Sequence, residues 1–294
     1  MIVPVDADRG IREGRQQCEP ERHGSHAPLM YGCFHTGRAA FSVRVPMLDR
    51  PLSLVIPAHN EAPNMPKVIG ASVAALNRLS PDWEVILVDD GSTDDTVALA
   101  RAAMGAAHSR LRVISHQGKR GYGVTVADGL RAAGMGYVAF MDGDGQFDPA
   151  DLTLLAALMP TADLAAGWRR RRADPRYRLV IAGVFNVLVR ALYGVAVKDI
   201  DCGLKLMRRE VLDAASPLLA RSALLNTELY FKCRRSGLRI QQIAVSHYPR
   251  VAGVRSGARL IPILRAVRDL VWLRLRLARH WRAPSLAASA PESS

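Results

Sequence analysis

The sequence predicts an α/β protein built on a mostly parallel sheet with helices on both faces. Three observations carry this. Short, almost continuously apolar runs such as LSLVIPA (52–58) and EVILVDD (84–90) read as strands buried on both faces, the pattern of parallel sheets. Segments of helical periodicity separate them. Several of these strands end on acidic residues, at the edge where open parallel sheets bind their ligands.

The elements follow in order. Strand 52–58 leads into a helix from about Ala62 to Leu79. Strand 84–90 ends on Asp89 and Asp90, and TDDTVALARAAM then opens with a Thr/Asp cap and continues as a helix. RLRVISH (110–116) is a third strand, and GVTVADGLRAAG the helix after it. GYVAFMDGD (136–144) is a fourth, running from apolar residues straight into Asp142 and Asp144. The second half is less regular: a strand through DLAAGWR, an apolar helix over 179–194, a helix around NTELYFKCRRSG and a strand IQQIAVSHYP. A last helix covers 258–281, with Pro262 tolerable in its first turns. Residues 1–48 are polar and aperiodic and read as a flexible extension; 283–294 read as a disordered tail. Between them lie one domain, 49–257, and a basic amphipathic helix, 258–282.

Composition narrows the class. With 294 residues the chain can bury a sizeable core, and 49% apolar against 23% charged residues marks it as globular. Its 40 Lys and Arg against 27 Asp and Glu give a net charge of +13, which favours nucleic acid, an anionic membrane surface or a phosphorylated substrate. Aromatic content of 6% and the lack of any nucleic-acid motif argue against the first. Cys18, Cys33, Cys202 and Cys233 are scattered without metal-ligand spacing and read as free thiols of a reducing cytoplasm. The N-terminus has no apolar core of a secretory leader. The apolar stretch 179–197 approaches bilayer length, but Arg190 inside it costs a membrane span about 2.5 kcal/mol or more, so a buried or surface-docked helix is expected.

Asp-x-Asp occurs three times, at Asp6/Asp8, Asp142/Asp144 and Asp199/Asp201. Only Asp142 and Asp144 follow a central strand directly. Carboxylates crowded there, beside Asp89 and Asp90, repel one another and call for a cation. With no His or Cys close in sequence, the donor set suits a hard divalent ion, Mg²⁺ or Mn²⁺, shared with waters and a diphosphate. Asp148 and Asp151, in the turn that follows, read as turn and cap residues.

LSLVIPAHNEAPNM, EVILVDDGSTDDT and GYVAFMDGDGQFDP together resemble the nucleotide-sugar domain of family 2 glycosyltransferases, with its P-x-(Y/H)-N-E, V-D-D-G-S-x-D and D-x-D elements. The likeness continues through AAGWR, VKDIDCGLKLMRREVL, NTELYF and HYPRVAG. These look like the branch of dolichol-phosphate mannose synthases and bacterial polyprenyl-phosphate sugar transferases. The resemblance covers roughly residues 50–277, about three quarters of the chain. It implies a GT-A type fold, with a nucleotide-sugar half up to about 148 and an acceptor half beyond.

By that resemblance Pro57, His59, Glu61, Asp142 and Gly143 line the nucleotide-sugar pocket, with His59 standing where the family usually has Tyr. Asp89 or Asp90 hydrogen-bonds the base or ribose, and the sequence does not separate them. Asp142 and Asp144 hold the metal, Gln146 is a further metal or phosphate neighbour, and Arg169, Arg178 and Arg250 grip an acceptor phosphate. The implied reaction is a metal-dependent, inverting transfer from a UDP- or GDP-sugar to a polyprenyl or dolichyl phosphate at the cytoplasmic membrane face. A hydroxyl acceptor would need a base. Asp201 and Glu228 are the candidates, and Glu228 has the plain alternative of pairing with a nearby Arg.

On a wheel of the last helix Arg265, Arg268, Arg276 and Arg279 share a face opposite Leu260, Leu264, Val267 and Val271, with Arg274 interrupting the apolar side. Trp272 and Trp281 suit a headgroup boundary, which fits a helix lying on an anionic membrane; docking on its own domain is the alternative. A membrane-protein partner is compatible with either. Other classes explain less. A sugar nucleotidyltransferase would carry a Gly-rich loop after the first strand, where IPAHNEAPNM has none. A phosphoacceptor domain leaves the second half unexplained, and a non-catalytic nucleotide-sugar-binding protein on this fold stays open.

Overall fold

The computed structural model describes residues 47–169, 176–250 and 260–283; at 176–182 and 260–267 it describes the backbone alone. The expected extension and tail therefore lie almost wholly outside the described residues, as do Arg170, Arg171 and Arg172.

The first half of the domain alternates as expected: β1 (Leu52–Ala58), α1 (Met65–Leu79), β2 (Trp83–Asp89), α2 (Thr96–Ala103), β3 (Leu111–Ser115), α3 (Tyr122–Ala132) and β4 (Tyr137–Met141). A short α4 (Leu152–Ala156) leads to β5 (Leu164–Arg169), α5 (Arg176–Tyr193), β6 (Leu204–Arg208), α6 (Arg209–Ala215), α7 (Leu224–Arg235), β7 (Ile240–Val245) and α8 (Leu260–His280). One seven-stranded sheet results, in the order β3-β2-β1-β4-β6-β5-β7.

All seven residues of β1 are buried, because β1 is central and covered on both faces. Val55 pairs with Ile86 of β2 on one side and Phe140 of β4 on the other, both in parallel register. Its neighbours Leu54 and Ile56 face the opposite layer with Met65, Ile69 and Leu76 of α1. On the other face α3 presses close: a Cβ at Gly129 would stand 2.3 Å from Val55 Cγ1, so glycine is what lets the helix approach.

β6 was not foreseen. Leu-Lys-Leu-Met-Arg lacks β-branched residues, and a lysine at its centre argues against a buried strand by composition alone. Yet β6 runs antiparallel to both β4 and β5, and β5 pairs parallel with β7. Two successive reversals leave β5 and β7 pointing the same way as β4. The carboxyl ends of β1, β2, β4, β5 and β7 therefore share one edge with the amino end of β6, and Asp89, Asp90, Asp142, Asp144 and Arg169 lie at or just beyond those ends.

α8 is helical as expected, but its faces differ from the wheel reading. Leu270, Leu273, Leu277 and Trp281 are buried against the domain, while Val271, Trp272 and Leu275 are exposed. Trp281 is a core residue: its ring meets Phe231 at 6.1 Å and its Nε1 donates to Ala214 O at 3.3 Å, so it does not face a headgroup layer. Among the described residues no helix is long and apolar enough to cross a membrane. Cys202 and Cys233 are free and buried.

Candidate active site

Two loops at the carboxyl ends of β1 and β2 interlock. Asn60 takes a left-handed φ of 55°, and its Oδ1 accepts from Thr93 N at 2.8 Å while its own N donates to Ser92 Oγ at 2.9 Å. Glu61 N donates to Thr96 Oγ1 at 2.9 Å. The HNE and DGSTDDT motifs are thus one hydrogen-bonded unit. A cavity of about 340 Å³ opens beside it, lined in part by Pro57, His59, Glu61, Asp90, Asp142, Gly143 and Asp144. The Nδ1 of His59 is buried without a hydrogen-bond partner.

The pair Asp89/Asp90, ambiguous in sequence, is separated in space. Asp89 accepts Ser92 N at 3.0 Å and serves the turn. Asp90 lines the cavity, and its two oxygens accept Arg120 N at 2.7 Å and Gly121 N at 2.9 Å, with His116 Nδ1 at 2.9 Å. Burial opposes its ionisation, but these bonds outweigh it and hold the carboxyl below its ordinary range. The same bonds place the loop carrying Lys119, which also lines the cavity. Lys119 was missed; only its position in HQGKRGYG, between a strand and a glycine-started helix, signals it.

Asp142 is held from three sides. Its N donates to Gly203 O at 3.2 Å, Tyr122 Oη donates to its Oδ1 at 2.9 Å, and a Cβ at Gly203 would stand 2.0 Å from its Oδ2. Burial, then the charge of Asp144, push the Asp142 carboxyl up to about 7, against the pull of Tyr122, Lys205 and Arg169. Lys205 is the buried cation under this cluster. Its Nζ donates to Cys202 O at 2.5 Å and Asn226 Oδ1 at 3.0 Å, and lies 4.8 Å from the Phe140 ring centre. Neither Tyr122 nor Lys205 was singled out in the sequence, because their roles depend on contacts made across α3, β4 and β6.

Arg250, beyond β7, reaches back to this edge. Its guanidinium bonds Glu61 Oε1 and lies 3.9 Å from Asp144 Oδ2. Burial raises the Glu61 carboxyl above its ordinary value, although Asn64 and Arg250 oppose this. Gln146 does not line the cavity. Its Nε2 donates to Tyr248 O at 3.0 Å and its O accepts from Tyr248 N at 2.8 Å, so it ties the DGDG loop to the segment carrying Arg250.

At the end of β5 Arg169 makes a bidentate pair with Asp199, Nε to Oδ2 at 2.7 Å and Nη2 to Oδ1 at 2.8 Å. Burial disfavours its charge, yet Asp199 more than compensates and raises the guanidinium pKa. Asp201 is half-buried in the adjoining turn, and its charge acts on Tyr122, Arg169 and Lys205. Arg178 lies in the first turn of α5, with its side chain outside the described residues. Glu228 corrects the expectation of a possible base. It is fully buried in α7, accepts Leu219 N and Ala220 N at 2.7–2.9 Å, and pairs with Lys232 at 2.7 Å. Its partner is thus a lysine, and its oxygens are spent holding the 217–220 segment to α7. Asp148 and Asp151 keep their plain roles: Asp148 accepts Ala150 N at 3.0 Å, and Asp151 accepts Ser246 N at 2.6 Å.

No group of three His, Cys, Asp or Glu side chains among the described residues is arranged to hold a metal ion by itself. Asp142 and Asp144 still fit a shared ion. They crowd at a buried edge, where burial and then the charge of Asp144 disfavour ionisation of Asp142, and a hard ion there would complete its shell with water and diphosphate oxygens.

A sheet of this order, with acidic residues gathered at the carboxyl ends of its first parallel strands, defines a GT-A type glycosyltransferase fold. The chain belongs to glycosyl transferase family 2, whose profile matches residues 53–215. It is 31% identical over 212 residues to the dodecaprenyl-phosphate galacturonate synthase of Rhizobium johnstonii, covering 71% of this chain and 62% of that relative's length. It is also 31% identical over 212 residues to the polyprenol monophosphomannose synthase of Mycolicibacterium smegmatis, covering 68% and 78% of the two chains. Among solved structures, glucosyl-3-phosphoglycerate synthase of Mycobacterium tuberculosis, in complex with Mn²⁺, UDP and glucosyl-3-phosphoglycerate, superposes with a TM-score of 0.59 at 24% identity. That likeness covers 81% of this chain and 82% of the other.

Proposed function

We propose that the protein transfers a sugar from a UDP- or GDP-sugar to a polyprenyl phosphate, with inversion at the anomeric carbon. The observation that carries this reading is the meeting of two kinds of charge at one sheet edge. Carboxylates Asp142 and Asp144 border the cavity on the donor side, and arginines Arg250 and Arg169 stand toward the acceptor half. An acceptor phosphate brings its own anionic nucleophile and needs cations to hold it, which favours it over a hydroxyl that must lose a proton. The engagement of Glu228 away from the cavity points the same way. The printed names of the two relatives, a dodecaprenyl-phosphate synthase and a polyprenol monophosphomannose synthase, support this acceptor class.

In this reading His59, Glu61, Asp90 and Lys119 hold the nucleotide, and Tyr122 orients Asp142. Mg²⁺ or Mn²⁺ on Asp142 and Asp144 would offset the charge growing on the departing diphosphate, and neighbours of the same fold were crystallised with Mn²⁺ or Mg²⁺ and UDP. The acceptor phosphate oxygen attacks the anomeric carbon opposite the leaving group, forming one C–O bond as the bond to the nucleoside diphosphate breaks. Arg169 and Arg250 position that oxygen, with Arg178 at the start of α5 as a third candidate.

A peripheral place on an anionic, cytoplasmic-facing membrane suits this substrate. Exposed Val271, Trp272 and Leu275 of α8 and Val184, Val187 and Leu192 of α5 supply apolar surface, and exposed Arg268, Arg279 and Arg282 and half-buried Arg276 supply charge.

The test incubates purified protein with Mg²⁺ or Mn²⁺, polyprenyl phosphate and labelled UDP- and GDP-sugars, and counts label entering the organic phase. Metal-dependent transfer lost in Asp144→Asn is expected. Donor binding or hydrolysis without transfer would replace the lipid phosphate with a hydroxyl acceptor and make Asp201 the base to test. Failure to bind any nucleotide-sugar would sink the enzyme reading.

A further inference from the structure

A second cavity, about 280 Å³, opens between the turn after α5, the end of α7 and the start of β7. It shares no lining residue with the donor cavity. Val195, Val197 and Ile240 form its apolar wall, and Tyr230, Arg234 and Gln242 are its polar groups.

Each polar group has capacity to spare. Tyr230 is fully buried, and its hydroxyl has no hydrogen-bond partner. Gln242 Oε1 accepts from Lys198 N at 2.7 Å, which fixes the orientation of the amide; its Nε2 is then left buried and unpartnered. Buried donors are normally satisfied, so two orphans in one cavity point to an occupant. Arg234 has no acidic partner among the described residues. Its Nη1 lies 3.3 Å from where a Cβ of Gly194 would stand, and Gly194, at φ +65°, makes room for the guanidinium over the turn.

Residues bearing a guanidinium, an amide and a phenol line one space, and no carboxylate is among its lining residues, although the charges of Asp199 and Asp201 reach the Tyr230 phenol. Such a set recognises an anion with two or more acceptor oxygens. We infer that this cavity binds a small carboxylate or phosphate monoester, its anionic group on Arg234, Gln242 and Tyr230 and its apolar body against Val195, Val197 and Ile240. The inference goes beyond the transfer reaction and does not depend on it. All lining residues fall in the second half of the domain, and Val197 lies two residues before Asp199, the partner of Arg169.

The same anion chemistry is offered by a soluble ester and by a lipid headgroup, and the experiment separates them. Phenyl phosphate is titrated calorimetrically into the full-length protein, and vesicles of phosphatidylcholine with and without phosphatidic acid are tested by co-sedimentation. Wild type is compared with Arg234→Gln, Tyr230→Phe and, as a charge-matched control outside the cavity, Arg235→Gln. At least a tenfold loss of phenyl phosphate affinity is expected in Arg234→Gln and Tyr230→Phe, with Arg235→Gln unchanged. A loss seen only with phosphatidic acid vesicles, again specific to the two cavity variants, assigns the site to a lipid headgroup. Absence of binding by either probe, or binding that the control weakens as much as the cavity variants, overturns the inference. Tyr230→Phe removes only an unpartnered hydroxyl, so its unfolding temperature without ligand should not fall; this guards against a loss of binding through misfolding.

Discussion

The guanidinium of Arg250 pairs with the carboxylate of Glu61, 189 positions earlier in the chain, and thereby ties the segment after β7 to the loop after β1. The pair lies at the place where three carboxylates, Glu61, Asp142 and Asp144, gather, and Arg250 supplies positive charge among them. If it also positions the reacting phosphate, Arg250→Gln should lower kcat/KM for the acceptor on the order of 10²-fold, the usual loss of one preorganised donor at developing charge. Steady-state kinetics against polyprenyl phosphate would read this. Unchanged kinetics would make the pair a structural clasp only.

Tyr122 touches Asp142 from behind, through a single hydrogen bond of 2.9 Å. Its removal leaves the carboxylate in place but free to turn. Tyr122→Phe should weaken Mn²⁺ binding in the presence of UDP about 10- to 100-fold, as loss of a partner behind a metal ligand does. Electron paramagnetic resonance of free Mn²⁺ measures it directly.

Gly203 leaves no room for a side chain beside Asp142. Gly203→Ala must shift either the carboxylate or the 199–203 turn, and should cost about 1–3 kcal/mol of stability together with most of the transfer activity. A variant with wild-type melting and activity would mean that the turn yields freely.

Glu228 and Lys232 form a fully buried ion pair. Breaking it by Glu228→Gln leaves a lysine uncompensated, and a loss of about 3–5 kcal/mol is expected in urea unfolding. Activity per folded molecule should stay near wild type. A folded, stable, inactive Glu228→Gln protein would return this residue to the role of base.

Asp163 gives a pH signature away from the site. Burial disfavours its charge, but Arg239, through its guanidinium and its backbone N–H, and then Arg208, hold its carboxyl below the ordinary range. A depressed carboxyl contributes stability that is complete above the unfolded value of about 4 and is lost as pH falls through the folded value. Asp163→Asn should therefore be less stable than wild type near about pH 6, with the gap narrowing toward about pH 2. Urea midpoints at the two pH values decide it, and a gap independent of pH would show that the charge is irrelevant.

Much of the first half of the domain was legible because its signals are local. Short apolar runs rich in Val, Ile and Leu, separated by helical segments, read as strands covered on both faces, and their acidic ends mark the edge. The second half was less legible. β6 hides behind Lys205, whose burial is tolerated only because Cys202 O, Asn226 and the rings of Phe140 and Tyr230 surround it, and none of these is near in sequence to all the others. Trp281 read as a surface aromatic because a helical wheel does not show which side meets Phe231.

By itself the sequence determined the α/β class and the family motifs, and it named carboxylates whose chemistry suits a diphosphate-bound metal, since these rest on side-chain types and short spacings. Only the tertiary structure decided which of those residues meet. It put Asp90 rather than Asp89 on the cavity, spent Glu228 on Lys232 and Gln146 on Tyr248, and set Lys205 beneath Asp142. The physical reason is the direction of β6: two reversals of the chain bring segments more than a hundred residues apart to one edge of a sheet, where burial makes each charge depend on its neighbours.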